Sequence, residues 1–179
     1  MTLIWNVIGV GVLVTAAVIA RSVALAGFGL DSLVEIGAST VVIWQLSGGG
    51  ERRERRALRL IGAAFVLLAI YLAVQSTVVL IAGHRAHRSV AGIAWVACTA
   101  AVMFALAFGK GRTGRALGNR VLLSETRVTL IDGILACAVL TGLTLNAITG
   151  LWWADPAAAY VLVYYAAREA HAIFTEHAP

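Results

Sequence analysis

Three carboxylates interrupt stretches of this 179-residue sequence that are otherwise apolar: Asp31, Glu35 and Asp132. A carboxylate in such surroundings is costly unless it is protonated or held by a cation. Asp31 and Glu35 are four residues apart, so on a helix they share one face, one turn apart. The sequence places no Lys or Arg at their depth; the nearest candidate is Arg127, more than a turn before Asp132 on its own segment. Three facing carboxylates cannot all stay ionised without a positive partner. Protons or a metal ion must therefore occupy the group. Metal binding displaces protons from such ligands and protonation displaces metal, so the chemistry expected here is proton-linked binding of a divalent cation.

The segments that must position these residues are written in the composition. Sixty per cent of the chain is hydrophobic and only 13% is charged. A water-soluble domain carries about 25% charged residues. The mean hydropathy is +0.88, which excludes a disordered chain, a secreted disulfide scaffold and a soluble nucleic-acid-binding domain. Apolar runs cover 3–20, 24–47, 60–82, 89–109, 121–149 and 154–173. A helix crosses the hydrocarbon core with roughly 20 residues. The expectation is an all-α, polytopic bundle of six transmembrane helices forming a single domain over 1–179. No Lys or Arg precedes the first apolar run, so that run reads as a retained span and not a cleaved signal. Too few residues follow the sixth run for a soluble domain.

The net charge of +5 is distributed as a topology signal. The second and fourth connections carry Arg52, Arg53, Arg55, Arg56 and Arg59, then Lys110, Arg112, Arg115 and Arg120. The first and third carry only Arg21, Arg85 and Arg88. Cytoplasmic segments are enriched in Lys and Arg, which puts both termini in the cytoplasm. Arg127 is expected to snorkel to that interface. Run two then enters from outside near residue 24 and run five from inside near residue 121. At about 1.5 Å per residue, Glu35 and Asp132 each lie roughly 16 Å deep, near the midplane.

Secondary signals are weaker. His84 and His87 form an H-x-x-H pair in the third connection, and His171 and His177 lie near the C-terminus with Glu176. The expectation for these is solvated surface. Cys98 and Cys137 lie inside apolar runs and read as small packing residues. Asn146 reads as a packing hydrogen bond, and Ser124 and Thr129 as hydroxyls bonded to their own helix turn. Trp152 and Trp153 suit a membrane interface. Pro156 suits the first turn of the sixth helix, with Asp155 before it as that helix's cap. Glycines and alanines throughout permit close helix approach.

The stretch Ser22-Val23-Ala24-Leu25, a small-residue patch, then Asp31-Ser32-Leu33-Val34-Glu35 resembles the second membrane helix of the cation diffusion facilitator, or cation efflux, family. The Asp155-Pro156 turn and the six-span layout are similar to that family as well, so the resemblance covers essentially the whole chain. It implies export of a divalent metal (zinc, manganese, cadmium or iron) in exchange for protons. It also implies a tetrahedral site with two ligands from helix two and two from helix five. Asp31 and Glu35 match the first pair, and Asp132 matches the inner member of the second.

The sequence departs from that pattern at three points. Val128 stands where the fourth ligand is expected, and Glu35 stands where Asp is usual. The family's cytoplasmic C-terminal domain is not expected here, and any homodimer would form through membrane helices. Three oxygen donors without an imidazole lean toward harder ions such as manganese. Glu125, seven residues before Asp132, lies on the same helical face and is expected near the cytoplasmic mouth, where an ion would first be captured.

The reading is thus a divalent-cation/proton antiporter of a bacterial inner membrane. It is expected to be no enzyme and to have no resident cofactor. Its partners would be metal, protons and membrane lipid, with anionic head groups at the arginine-rich connection. The alternative is a non-transporting membrane scaffold or subunit that keeps the fold around a degenerate site. Enzymatic alternatives fail on the residues they need. Neither a set of histidine clusters nor a Ser/His pair at depth is present.

Overall fold

A computed structural model describes residues 2–46, 51–118 and 120–176. Six helices follow one another: α1 (Thr2–Ala20), α2 (Val23–Leu46), α3 (Glu51–Ala82), α4 (Val90–Ala116), α5 (Arg120–Thr149) and α6 (Ala154–Glu176). Among the described residues, four segments are long and apolar enough to cross a membrane: Val23–Val41, Arg55–Ala82, Val90–Ala116 and Val128–Thr149. The apolar part of α1, Ile4–Ala20, is shorter. The protein is an all-α bundle and a multi-pass integral membrane protein.

The distribution of side chains follows the logic of a lipid solvent. Ile4, Val18, Ile19, Leu67, Ile81, Phe108 and Ile148 are exposed, whereas Asn6, Asp31, Ser32, Thr99, Asp132 and Asp155 are buried. Polar side chains turn inward to find partners that hydrocarbon cannot offer. The interior is otherwise built from Leu13, Leu25, Leu72, Val96, Val139 and Leu162 with many alanines.

Helix α2 is the centre of the bundle and packs on α1, α3, α5 and α6. The remaining contacts pair α4 with α5, α3 with α6, α5 with α6 and α1 with α4. The tightest approach lies at Gly142. A Cβ there would stand 2.6 Å from the Ala158 Cβ and 2.7 Å from the Ala154 carbonyl oxygen. Only glycine lets α5 and α6 come this close.

Two helices run past the hydropathy boundaries. Helix α3 begins at Glu51, so the expected arginine loop is helical, and α4 continues to Ala116, so Lys110 is helical as well. Arg, Glu and Ala are good helix formers, and a helix does not stop where its residues turn polar. Helix α4 stops where the chain does change, at Gly118 with φ +60°. The buried Gly111 meanwhile lets Thr126 of α5 pack against the extension.

Asp155 has a different role from the expected one. It is completely buried in the first turn of α6, yet its carboxylate serves α2. Ser22 Oγ donates to its Oδ1, and the backbone N–H groups of Val23 and Ala24 donate to its Oδ2 at 2.9 and 3.5 Å. Ser22 Oγ in turn accepts from the Leu25 N–H at 3.1 Å. The first N–H groups of a helix have no partner within it, and buried in this bundle those of α2 are satisfied from α6. The Ser22 and Asp155 ends of the two sequence motifs are therefore in direct contact.

Candidate functional site

The α2 face one turn apart carries Asp31, which is buried, and Glu35, which is half-buried. Ser32 beside them donates back to the Phe28 carbonyl at 3.1 Å and leaves the carboxylate face clear. Asp132 enters from α5, also buried. All three line one cavity with Asn6 of α1 and Thr99 of α4. The sequence expectation that two helices bring these three together is met in that sense.

The contacts inside the cavity are specific. The carboxyl groups of Glu35 and Asp132 come within interacting reach of each other. Asn6 Nδ2 donates to Glu35 Oε2. Asp132 Oδ1 is buried with no hydrogen-bond partner. An ionised carboxyl group only accepts, so a hydrogen bond between two carboxyl groups requires a proton on one of them. The pair is thus placed to share a proton between α2 and α5, and one Asp132 oxygen is left without a partner.

The space around them is about 10 Å³, at the lower limit for one water. Among the described residues, no three His, Cys, Asp or Glu side chains converge as a ligand set for a metal ion. Asp31 shares the cavity without joining the Glu35–Asp132 pair.

Access is asymmetric. A second cavity of about 260 Å³ reaches Glu35 and Asp132 from the other side and is lined also by Asn6, Ser39, Phe65, Lys110, Thr129, Tyr165 and Glu169. Relative to the carboxylates, these residues lie toward the ends of the helices that carry the arginine-rich segments. Trp5 of α1 stacks on Trp95 of α4 in the wall of the smaller cavity, with ring centroids 5.1 Å apart and planes inclined by 15°. Trp5 Nε1 also donates to Thr99 Oγ1 at 3.2 Å. Along α4, Trp95, Thr99 and Met103 line the smaller cavity and Lys110 lines the larger one.

Lys110 corrects the expectation that no basic side chain reaches the carboxylates. Its ammonium donates to Thr129 Oγ1 at 3.0 Å, one turn from Asp132, and acts electrostatically on both Glu35 and Asp132. Hydropathy assigned it to a loop. The helical extension of α4 and the length of the lysine stem bring it to the site. Thr129 is buried and its hydroxyl accepts from Lys110. Glu169 and Tyr165, four apart on α6, are further residues the sequence reading did not single out. Glu169 acts electrostatically on Asp31.

Val128 is half exposed but lines the larger cavity beside Glu35 and Asp132. The side chains of Glu125, Ser124 and Arg127 lie outside the described residues, as do His177 and the Glu176 side chain. His84, His87 and His171 are exposed. The His87 N–H is used to tie its connection to the Ala20 carbonyl at 2.7 Å. Asn146 donates to the Ala86 carbonyl at 3.0 Å, a packing bond as expected. Cys98 and Cys137 are free thiols.

Compared with known families and with curated proteins, the sequence matches no family model and no curated protein.

Proposed function

We propose that this protein exchanges divalent metal cations for protons across a membrane, with Glu35 and Asp132 as the coupling pair and Asp31 as a third ligand. The observation that carries the reading is the approach of the Glu35 carboxyl of α2 to the Asp132 carboxyl of α5, with Asp132 Oδ1 unsatisfied beside it. A divalent ion arriving through the larger cavity would replace the shared proton and take up the unsatisfied oxygen. Loss of the ion to the other side would restore the proton. The larger cavity lies toward the arginine-rich end and only about 10 Å³ is free in the smaller one, so the geometry fits a state open toward the arginine-rich end. By the charge bias of the connecting segments, that end is cytoplasmic. The membrane would be a bacterial inner membrane, and the resemblance to the cation efflux family supports the same reading.

The donors at the pair are oxygen only, which favours hard ions such as manganese(II) over zinc. A second reading, a membrane scaffold with a degenerate site, is favoured by Val128 and by the absence of a converged ligand set among the described residues. Equilibrium binding of manganese(II) and zinc to purified protein separates the two. Transport requires binding that falls at least a hundredfold in both Asp132→Asn and Glu35→Gln. Folded wild-type protein that binds neither ion supports the scaffold.

A further inference from the structure

Fourteen residues of the chain are Lys or Arg, and Lys110 is the single lysine among them. The thirteen arginines lie at the ends of helices and in connections, where charge sets topology. The lysine stands instead in the wall of the larger cavity, with its ammonium on Thr129 and its charge felt at Glu35 and Asp132. We propose that Lys110 is a tethered cation that competes with the metal ion for the Glu35–Asp132 pair, withdrawing when the ion binds and returning when it leaves. This rests on the proposed exchange function and adds a residue to it.

The groups that line this cavity together with Lys110 fit that role. Asn6 comes from α1, Glu35 from α2, Thr129 and Asp132 from α5, and Tyr165 and Glu169 from α6. Glu169, on the open side of the cavity, offers a second anionic partner to which the ammonium can withdraw. With Asp31, the site would carry four negative charges if every carboxyl were ionised, which no apolar interior sustains. A resident positive charge makes the emptied site tolerable, and the same charge repels an incoming ion. It therefore lowers affinity and promotes release.

The choice of lysine over arginine is informative. A guanidinium is a rigid planar fork that grips carboxylates through two parallel hydrogen bonds. An ammonium is a compact charge on a flexible stem and is easily exchanged. A competitor that must leave on every cycle calls for the second kind.

The test uses two variants and one label. Manganese(II) affinity is measured on detergent-purified wild type, Lys110→Gln and Lys110→Arg at one pH. Removing a positive charge a few ångströms from a divalent ion raises affinity about tenfold or more. The arginine fork should grip the pair and lower it below wild type. The expected order is therefore Lys110→Gln tightest, wild type next, Lys110→Arg weakest. A merely structural Lys110 would make Lys110→Gln bind more weakly or equally, with Lys110→Arg nearest to wild type, and that order overturns the proposal. The wild-type chain gives a second readout. With the N-terminus blocked, an amine-reactive reagent can label only Lys110, and manganese(II) should raise its labelling rate several-fold. An unchanged or slower rate overturns the proposal even if a variant fails to fold. Manganese(II) binding by wild type without the expected order or labelling change rejects the competitor and leaves exchange standing. Absence of binding by folded wild type rejects both.

Discussion

The carboxyl groups of Glu35 of α2 and Asp132 of α5 face each other in one cavity, and Asn6 of α1 donates to the same glutamate. On the proposed reading, a metal ion binding this pair displaces a proton that the two carboxyl groups share. Metal affinity should therefore rise with pH, about tenfold per unit for each proton displaced. Manganese(II) titrations at several pH values on one preparation check this. Affinity independent of pH would show that the ion binds elsewhere.

Val128 precedes Asp132 by one turn and lines the same cavity as both carboxyl groups. Val128→His should supply the nitrogen donor the site lacks and raise zinc affinity relative to manganese(II), since zinc favours imidazole. The two dissociation constants in wild type and variant give the ratio. An unchanged ratio would mean that the residue 128 side chain cannot reach the pair.

Asp155 joins α6 to the start of α2 through Ser22 and two backbone N–H groups. Asp155→Ala leaves these buried donors unsatisfied and should cost about 2–3 kcal/mol. Thermal unfolding in detergent should show a clear drop in midpoint. Asp155→Asn keeps an acceptor oxygen and should lie between the two. A midpoint unchanged in Asp155→Ala would show that α2 is held by its apolar contacts alone.

Gly142 sets the spacing of α5 against α6. Gly142→Val requires the helices to part and should destabilise by about 1–3 kcal/mol. Because α5 carries Asp132 and α6 carries Glu169, metal affinity should fall with it. Gly11→Ala, at a position where an added methyl meets nothing, serves as the control and should change neither.

Hydropathy located all six helices, and three of its apolar runs end where the chain turns: at Arg21 with φ +52°, Gly83 with +65° and Gly150 with +70°. It also marked Asp31, Glu35 and Asp132, since a carboxylate amid apolar residues stands out by itself. Three features escaped it for a common reason: each depends on a neighbour distant in sequence. Asp155 looked like the cap of its own helix, and only the packing of α6 on α2 redirects it to Ser22. Lys110 looked like loop charge, and only the continuation of α4 past residue 109 brings it to Thr129. Asn6 is an ordinary polar residue until α1 lies beside Glu35. The one signal available for Lys110 was its singularity among arginines. Glu169 had a comparable signal, as an acid four residues beyond Tyr165 on the last helix.

The most direct test of exchange is protein reconstituted in liposomes that enclose a pH-sensitive dye. Manganese(II), zinc, cadmium, iron(II) and magnesium are added outside in turn, to wild type and to Asp132→Asn. The account predicts an internal pH change driven by one or more transition-metal ions, strongest for manganese(II), and abolished in Asp132→Asn of equal fold and orientation. No pH change with any ion from folded, oriented wild-type protein would contradict it.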